Sequence, residues 1–137
     1  MPTSSLLYVS CSKIPAGEVA EAVRRIVETS KAKNPLVGLT GALLCTGSHF
    51  AQVLEGKAAA IDALMVLVRS DPRHEDLIVV QYGPIARRRF ANWALAYCGP
   101  SQFVSNHVTR LLDNSSSFDR RRAARWLSDL IVEFSAD

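Results

Sequence analysis

Five side chains could make hydrogen bonds at positions where a sheet packed by helices asks for plain aliphatic groups. Tyr8 lies within Leu-Leu-Tyr-Val-Ser and Gln52 within Phe-Ala-Gln-Val-Leu, while Ser10 and Trp93 fall on strand positions and Asn34 at a helix end. A buried glutamine brings one acceptor and two donors, and a tyrosine one hydroxyl, each costly when unpaired. Together these groups can line a polar-edged ligand slot between two helices. Conventional catalytic signatures do not occur: the sequence has no Gly-x-Ser-x-Gly elbow, P-loop, Gly-x-Gly-x-x-Gly or His-x-x-x-His. His49, His74 and His107 fall in three different elements. Cys11, Cys45 and Cys98 are an odd number, far apart, with no Cys-x-x-Cys pair. They read as reduced thiols, small buried hydrophobes on strands. Hydrolytic and metal chemistry therefore find no support.

The elements that must position these groups follow from hydrophobic spacing. Leu6–Cys11 starts apolar and then alternates, as a strand with one face on a core does. Val19, Val23, Ile26 and Val27 repeat at helical spacing with charges on the other side, and Asn34-Pro35 ends that helix because the residue before proline is pushed out of the α region. Leu36–Cys45 and Phe50–Leu54 suit a hairpin across Thr46-Gly47-Ser48. Ile61, Leu64, Met65 and Val68 define a second helix, and the unbroken apolar run from Leu64 to Val68 predicts that it is the more buried of the two. Leu77–Tyr82 and Trp93–Cys98 read as further strands, bounded by Gly83-Pro84 and Gly99-Pro100. The order predicts an α+β, ferredoxin-like βαββαββ fold, with two helices on one face of a five-stranded mixed sheet. Two additional C-terminal helices follow, the second capped by Asp119 and striped by Leu127, Leu130, Ile131 and Phe134.

With 137 residues, the chain has room for one ordinary domain. The expected division is residues 1–100 as the binding domain and 101–137 as a helical extension of the same compact unit. No apolar run reaches the length of a membrane span and the N-terminus lacks a signal-type pattern, so a cytoplasmic protein with no membrane partner is expected. The net charge of +3 lies on residues 1–100, since five arginines balance five acids in the remainder. Nucleic acid is thus an unlikely partner, and Arg87-Arg88-Arg89 reads as a solvated positive face.

Leu-Tyr-Val-Ser (7–10), Asn34 ahead of Gly38-Leu-Thr-Gly41, Phe50-Ala-Gln-Val-Leu-Glu-Gly56, Asp71-Pro-Arg-His74, Gly83-Pro-Ile85 and Phe90-Ala-Asn-Trp93 occur in this order. Over residues 4–98 the chain closely resembles the BLUF domain, the flavin-binding blue-light sensor. The resemblance implies noncovalent FAD, its ring lying between the two helices. It implies that Asn34 hydrogen-bonds the polar edge of the ring. Arg73 and His74 would reach the flavin or its ribityl side, with Asp71 orienting them. Tyr8 and Gln52 match the photoactive pair: light drives electron and proton transfer from the tyrosine, and the glutamine rearranges to donate a new hydrogen bond to the flavin C4 carbonyl. Ser10 and Trp93 match the residues flanking that pair. Ile26, Val27, Leu64 and Met65 would sandwich the ring as well as fill the core. Where many members carry a second asparagine, this chain has Lys33, which either approaches the phosphate tail or points to solvent. Leu95 replaces the family's usual methionine, without its polarisable thioether.

Nothing after residue 100 resembles a cyclase, a phosphodiesterase or a DNA-binding module, so no enzymatic activity is expected of this chain. Output is expected to pass through the C-terminal helices to a homo-oligomer or a downstream protein partner. The alternative is a flavin-free regulatory adaptor that keeps the fold. Retention of both Tyr8 and Gln52 argues against it.

Overall fold

The computed structural model describes residues 2–46, 48–90, 94–98 and Arg125. The elements in chain order are β1 (Thr3–Ser12), α1 (Val19–Lys33), β2 (Thr40–Cys45), β3 (His49–Gly56), α2 (Ala58–Arg69), β4 (His74–Ile85) and β5 (Ala94–Cys98). Four strands form an antiparallel sheet in the order β4-β1-β3-β2, the ferredoxin-like arrangement. The backbone of β5 runs parallel to the outer edge of β2, with Ala96 opposite Leu43. Of the C-terminal segment only Arg125, helical and exposed, is among the described residues, so the two helices expected there lie outside them. Among the described residues no helix is long and apolar enough to cross a membrane.

Alternation along the strands puts Leu6, Tyr8 and Ser10 of β1 on the same face as Phe50, Gln52 and Leu54 of β3 and Leu43 and Cys45 of β2. Both helices cover this face, in two separate clusters. Val19 and Val23 of α1 pack on Leu43, Cys45 and Phe50. Ile61 and Met65 of α2 pack on Leu6, Tyr8, Leu39 and Leu54. Burying a side chain such as Ile61 stabilises by about 1.5–3 kcal/mol. The outer side of α1 carries the Glu21–Arg24–Glu28 ion pairs, exposed and of small energetic weight.

The structure departs from the expected elements at four places. Gly83-Pro84 does not bound the fourth strand: β4 runs through both to Ile85, paired with Thr3–Ser5 of β1, on an edge where a proline is tolerated. β1 is buried on both faces, not one: Leu7 and Val9 are as inaccessible as Leu6 and Tyr8, and Ala42, Leu44, Ala51 and Val53 join them on the face turned away from α1 and α2. Leu36 and Val37 belong to a 3-10 turn over Asn34–Val37 and are exposed, so β2 begins only at Thr40. A further departure concerns α2, whose apolar run from Leu64 to Val68 is not buried throughout. A helix lying on one sheet face turns only a stripe inward. Val66 and Leu67 fall outside that stripe and stand 68% and 67% exposed.

Two glycines have specific reasons. Gly38 ends the 3-10 turn with φ 71, a left-handed conformation. A Cβ on Gly41 would sit 2.0 Å from the Val53 carbonyl oxygen, so no other residue fits that strand crossing. On the opposite edge β4 is irregular where it faces Tyr8 and Ser10, with register shifts at Leu7/Tyr8 and Val9/Cys11 and Asp76 at φ 56.

Candidate functional site

Between the two helix clusters the sheet is left uncovered by aliphatic packing, and a cavity of about 220 Å³ opens there. Its floor is the register row Tyr8–Gln52–Leu43 with Phe50 beside it. α1 contributes Ile26, Thr29, Ser30 and Lys33 to one wall, and α2 contributes Leu64, Leu67 and Val68 to the other. Asn34 and the Asp71–His74 turn close the ends.

Tyr8 and Gln52 are directly opposite on neighbouring strands, so their side chains start within reach of each other. Tyr8 Oη donates to Gln52 Oε1 at 2.5 Å. Burial pushes the Tyr8 phenol well above its ordinary range, the Asp71 carboxylate adds to this, and Arg73 opposes it. The phenol therefore keeps its proton. Gln52 spends its oxygen on Tyr8, and among the described residues its amide nitrogen has no partner.

Pro35 does not push the residue before it out of the α region: Asn34 keeps right-handed helical backbone at φ -60 and ψ -41, and α1 tightens into the 3-10 turn that ends at Gly38. The Asn34 backbone N–H closes the helix on the Ser30 carbonyl and its own carbonyl accepts from Leu39 at 2.9 Å. The side-chain amide is left over, buried beside the cavity, with no hydrogen-bond partner among the described residues. At the other end, Asp71 accepts from the Arg73 backbone N–H and from its guanidinium, both Nε and Nη2. This pair holds the Asp71 carboxyl below the usual carboxylate range and fixes the turn.

His74 is a wedge. The Val68 carbonyl can only accept, so His74 Nε2 donates to it at 2.7 Å, while Nδ1 meets Ser10 Oγ at 2.7 Å. The ring stands edge-on to Tyr8 and Phe50, each at 6.1 Å. Three elements, β1, α2 and β4, are tied together at this one side chain.

Nine residues expected from the sequence thus line one cavity: Tyr8, Ile26, Lys33, Asn34, Gln52, Leu64, Asp71, Arg73 and His74. Ser10 lies behind it, fully buried against His74. Trp93 lies outside the described residues. Of the four expected ring-sandwiching aliphatics, Ile26 and Leu64 line the cavity. Val27 faces a smaller adjoining cleft, and Met65 is part of the core under α2. Thr29 and Ser30 are lining residues not expected from the sequence. Their signal is helical spacing alone, since they follow Ile26 at i+3 and i+4 on the face that continues to Lys33.

Residues 4–96 match the family described as BLUF, sensors of blue-light using FAD. The chain belongs to the BLUF family. Among its relatives, the photoactivated adenylate cyclase subunit alpha of Euglena gracilis is 34% identical over 88 residues, 64% of this chain and 9% of that protein. The subunit beta of Euglena longa is 33% identical over 93 residues, 67% of this chain and 11% of that protein. The chain thus spans about a tenth of the length of these relatives. Among solved structures, the dark state of BlrB, a BLUF protein, superposes with a TM-score of 0.70 at 27% identity, covering 92% of this chain and 94% of that one. The photo-activated state of BlsA has a TM-score of 0.75 at 16% identity, a likeness of fold, over 95% of this chain and 94% of that one.

The BLUF site of this chain suits a flavin on its own chemistry. A flat ring with one polar edge needs apolar walls and hydrogen-bonding groups at one end. Ile26, Leu64 and Val68 supply the first, and the side-chain amide of Asn34 and the amide nitrogen of Gln52 the second. The volume lies below the roughly 300–1,000 Å³ of pockets that enclose a drug-sized ligand whole. Lys33 and Arg73 add two positive charges to the cavity lining.

Proposed function

We propose that this BLUF chain is a blue-light photoreceptor that binds FAD noncovalently and switches through Tyr8 and Gln52. The observation that carries the reading is the 2.5 Å hydrogen bond from a buried, firmly protonated phenol to one end of a glutamine whose other end is unspent beside the cavity. Bound flavin supplies blue-light absorption and, when excited, the capacity to take up an electron and a proton. Tyr8 is the group that can release both, from Oη. Gln52 has a donor end and an acceptor end, so rearrangement of its amide changes which atom faces the cavity without creating a charge. A glutamate could not switch a neutral network in this way. Asn34 orients the ring through its free amide, and Ile26, Leu64 and Val68 exclude water from it. Arg73, held by Asp71, meets the ribityl side of the flavin, and FAD is favoured over a shorter flavin because the family is described as using it. His74 and Ser10 keep Tyr8 in place.

The signal passes to a homo-oligomer or a protein partner through β5 and the residues that follow it. Two features support this route. The sheet face turned away from the helices is buried at Leu7, Val9, Leu44 and Val53, and the stripe of Leu127, Leu130, Ile131 and Phe134 is suited to cover such a face. The same row that joins Tyr8, Gln52 and Leu43 continues to Ala96 of β5.

Absorption spectroscopy tests the core of the reading. The purified protein is expected to be yellow and to show a red shift of its flavin band under blue light that reverses in darkness. A colourless preparation that takes up no added flavin would reject it. Chromatography of the cofactor released on denaturation separates FAD from FMN.

A further inference from the structure

One residue of the Phe50–Gly56 motif has no part in the cavity. Glu55 lies three positions beyond Gln52 on β3, so its side chain points to the opposite sheet face, where it is 1% exposed. A buried carboxylate is costly unless its oxygens are fully hydrogen-bonded. Here they are. Oε1 accepts the Thr40 hydroxyl at 2.9 Å and the Phe90 backbone N–H at 3.1 Å, and Oε2 accepts the Arg89 backbone N–H at 2.7 Å. Arg88, half-buried rather than solvated, bridges the Thr40 hydroxyl at 3.0 Å and the Glu55 carbonyl at 3.3 Å. A carboxylate thus accepts two successive backbone N–H groups of this segment, four residues before β5 begins.

The topology makes this clamp informative. β5 does not pair with the strand that carries Gln52, because β2 lies between them in the sheet. Glu55 is on that strand and grips the lead into β5 directly. We propose that Glu55 is a positioning residue of the light response, holding Arg88–Phe90 on β3 and β2 so that a rearrangement at Gln52 is delivered to β5. This rests on the proposed route of output through β5. The claim concerns coupling, not photochemistry, so the spectral change and the structural response should separate.

The test is amide hydrogen exchange of the full chain with its flavin, in darkness and under blue light, alongside the spectra. Glu55→Ala is expected to keep the wild-type red shift. Its dark exchange at residues 88–90 should rise by about tenfold or more, the change that loss of a charge-assisted hydrogen bond makes to a local opening equilibrium. Light-dependent exchange at residues 94–98, present in the wild type, should be lost. Glu55→Gln retains one accepting oxygen and should restore part of the response, and it carries the test if Glu55→Ala fails to fold. If both variants keep the wild-type light-dependent exchange at 94–98, Glu55 is only structural and the inference falls while the route through β5 stands. If the wild type shows its red shift with no change at 94–98, the route falls and the inference with it.

Discussion

At the scale of single residues, the site separates groups that switch from groups that hold. Tyr8→Phe removes the hydroxyl and Gln52→Leu removes both ends of the amide, yet neither removes a wall of the cavity. Both variants are expected to stay yellow and to lose the reversible red shift, and a normal shift in either would remove the pair from the mechanism. Asn34→Ala and Arg73→Ala act on holding. Each lost hydrogen bond is worth about 0.5–1.5 kcal/mol, so flavin affinity measured by equilibrium dialysis should fall by about 2- to 13-fold, and more where the guanidinium takes part. Wild-type affinity in both would show them misassigned. Tyr8 adds a pH test. Its phenol is raised in the folded protein above the unfolded value of about 10, so the neutral-phenol contribution to stability is complete below pH 10 and is lost as pH rises above it. The dark spectrum and the red shift should therefore be unchanged between about pH 7 and pH 9.5.

At the scale of elements, the two helices and the ferredoxin-like order were legible in the sequence, because periodicity reports local geometry; α1 does end near Asn34, but its last turn tightens through Pro35 and stops at Gly38. What the sequence did not disclose depends on partners. Leu64–Val68 is apolar throughout, and only the position of the sheet decides that Met65 is core, Leu64 and Val68 are cavity wall, and Val66 is exposed. The motif glutamate was visible as a residue type, but its partners are backbone amides at Arg89 and Phe90, which carry no residue signature. Nor could the residue types foretell that His74 would spend both ring nitrogens on Ser10 and Val68. His49, at the start of β3, is a further case, with its Nδ1 buried and lacking a hydrogen-bond partner among the described residues. Burial holds its imidazole below the ordinary range, so the unfolded chain takes up the proton first. Stability is then complete above about pH 6.5 and declines as pH falls through that value. Urea midpoints should drop on acidification from about pH 7.5 to pH 5.5, and His49→Phe should flatten that slope. An unaltered slope would assign the pH dependence to other groups.

At the scale of the whole molecule, the sheet has two buried faces and only one of them belongs to the flavin site. Leu7, Val9, Ala42, Leu44, Ala51 and Val53 are buried opposite the cavity, whereas every side chain proposed to touch the ring is on or above the other face. The two faces can therefore fail independently. If residues 101–137 cover the far face, ending the chain at Pro100 leaves a contiguous apolar surface in water, which promotes association. The truncated protein is expected to self-associate with increasing concentration in sedimentation experiments and to melt at a lower temperature. It should nonetheless retain flavin and its red shift, since Tyr8, Asn34, Gln52 and Arg73 are untouched. A polar substitution in the stripe, such as Leu130→Asp in the full chain, should weaken the same cover without shortening the chain, and so reproduce the association in milder form. A truncated chain that stayed monomeric with the stability of the full protein would mean that residues before 101 already close this face, and the output route would then have to leave the sheet at its β5 edge alone.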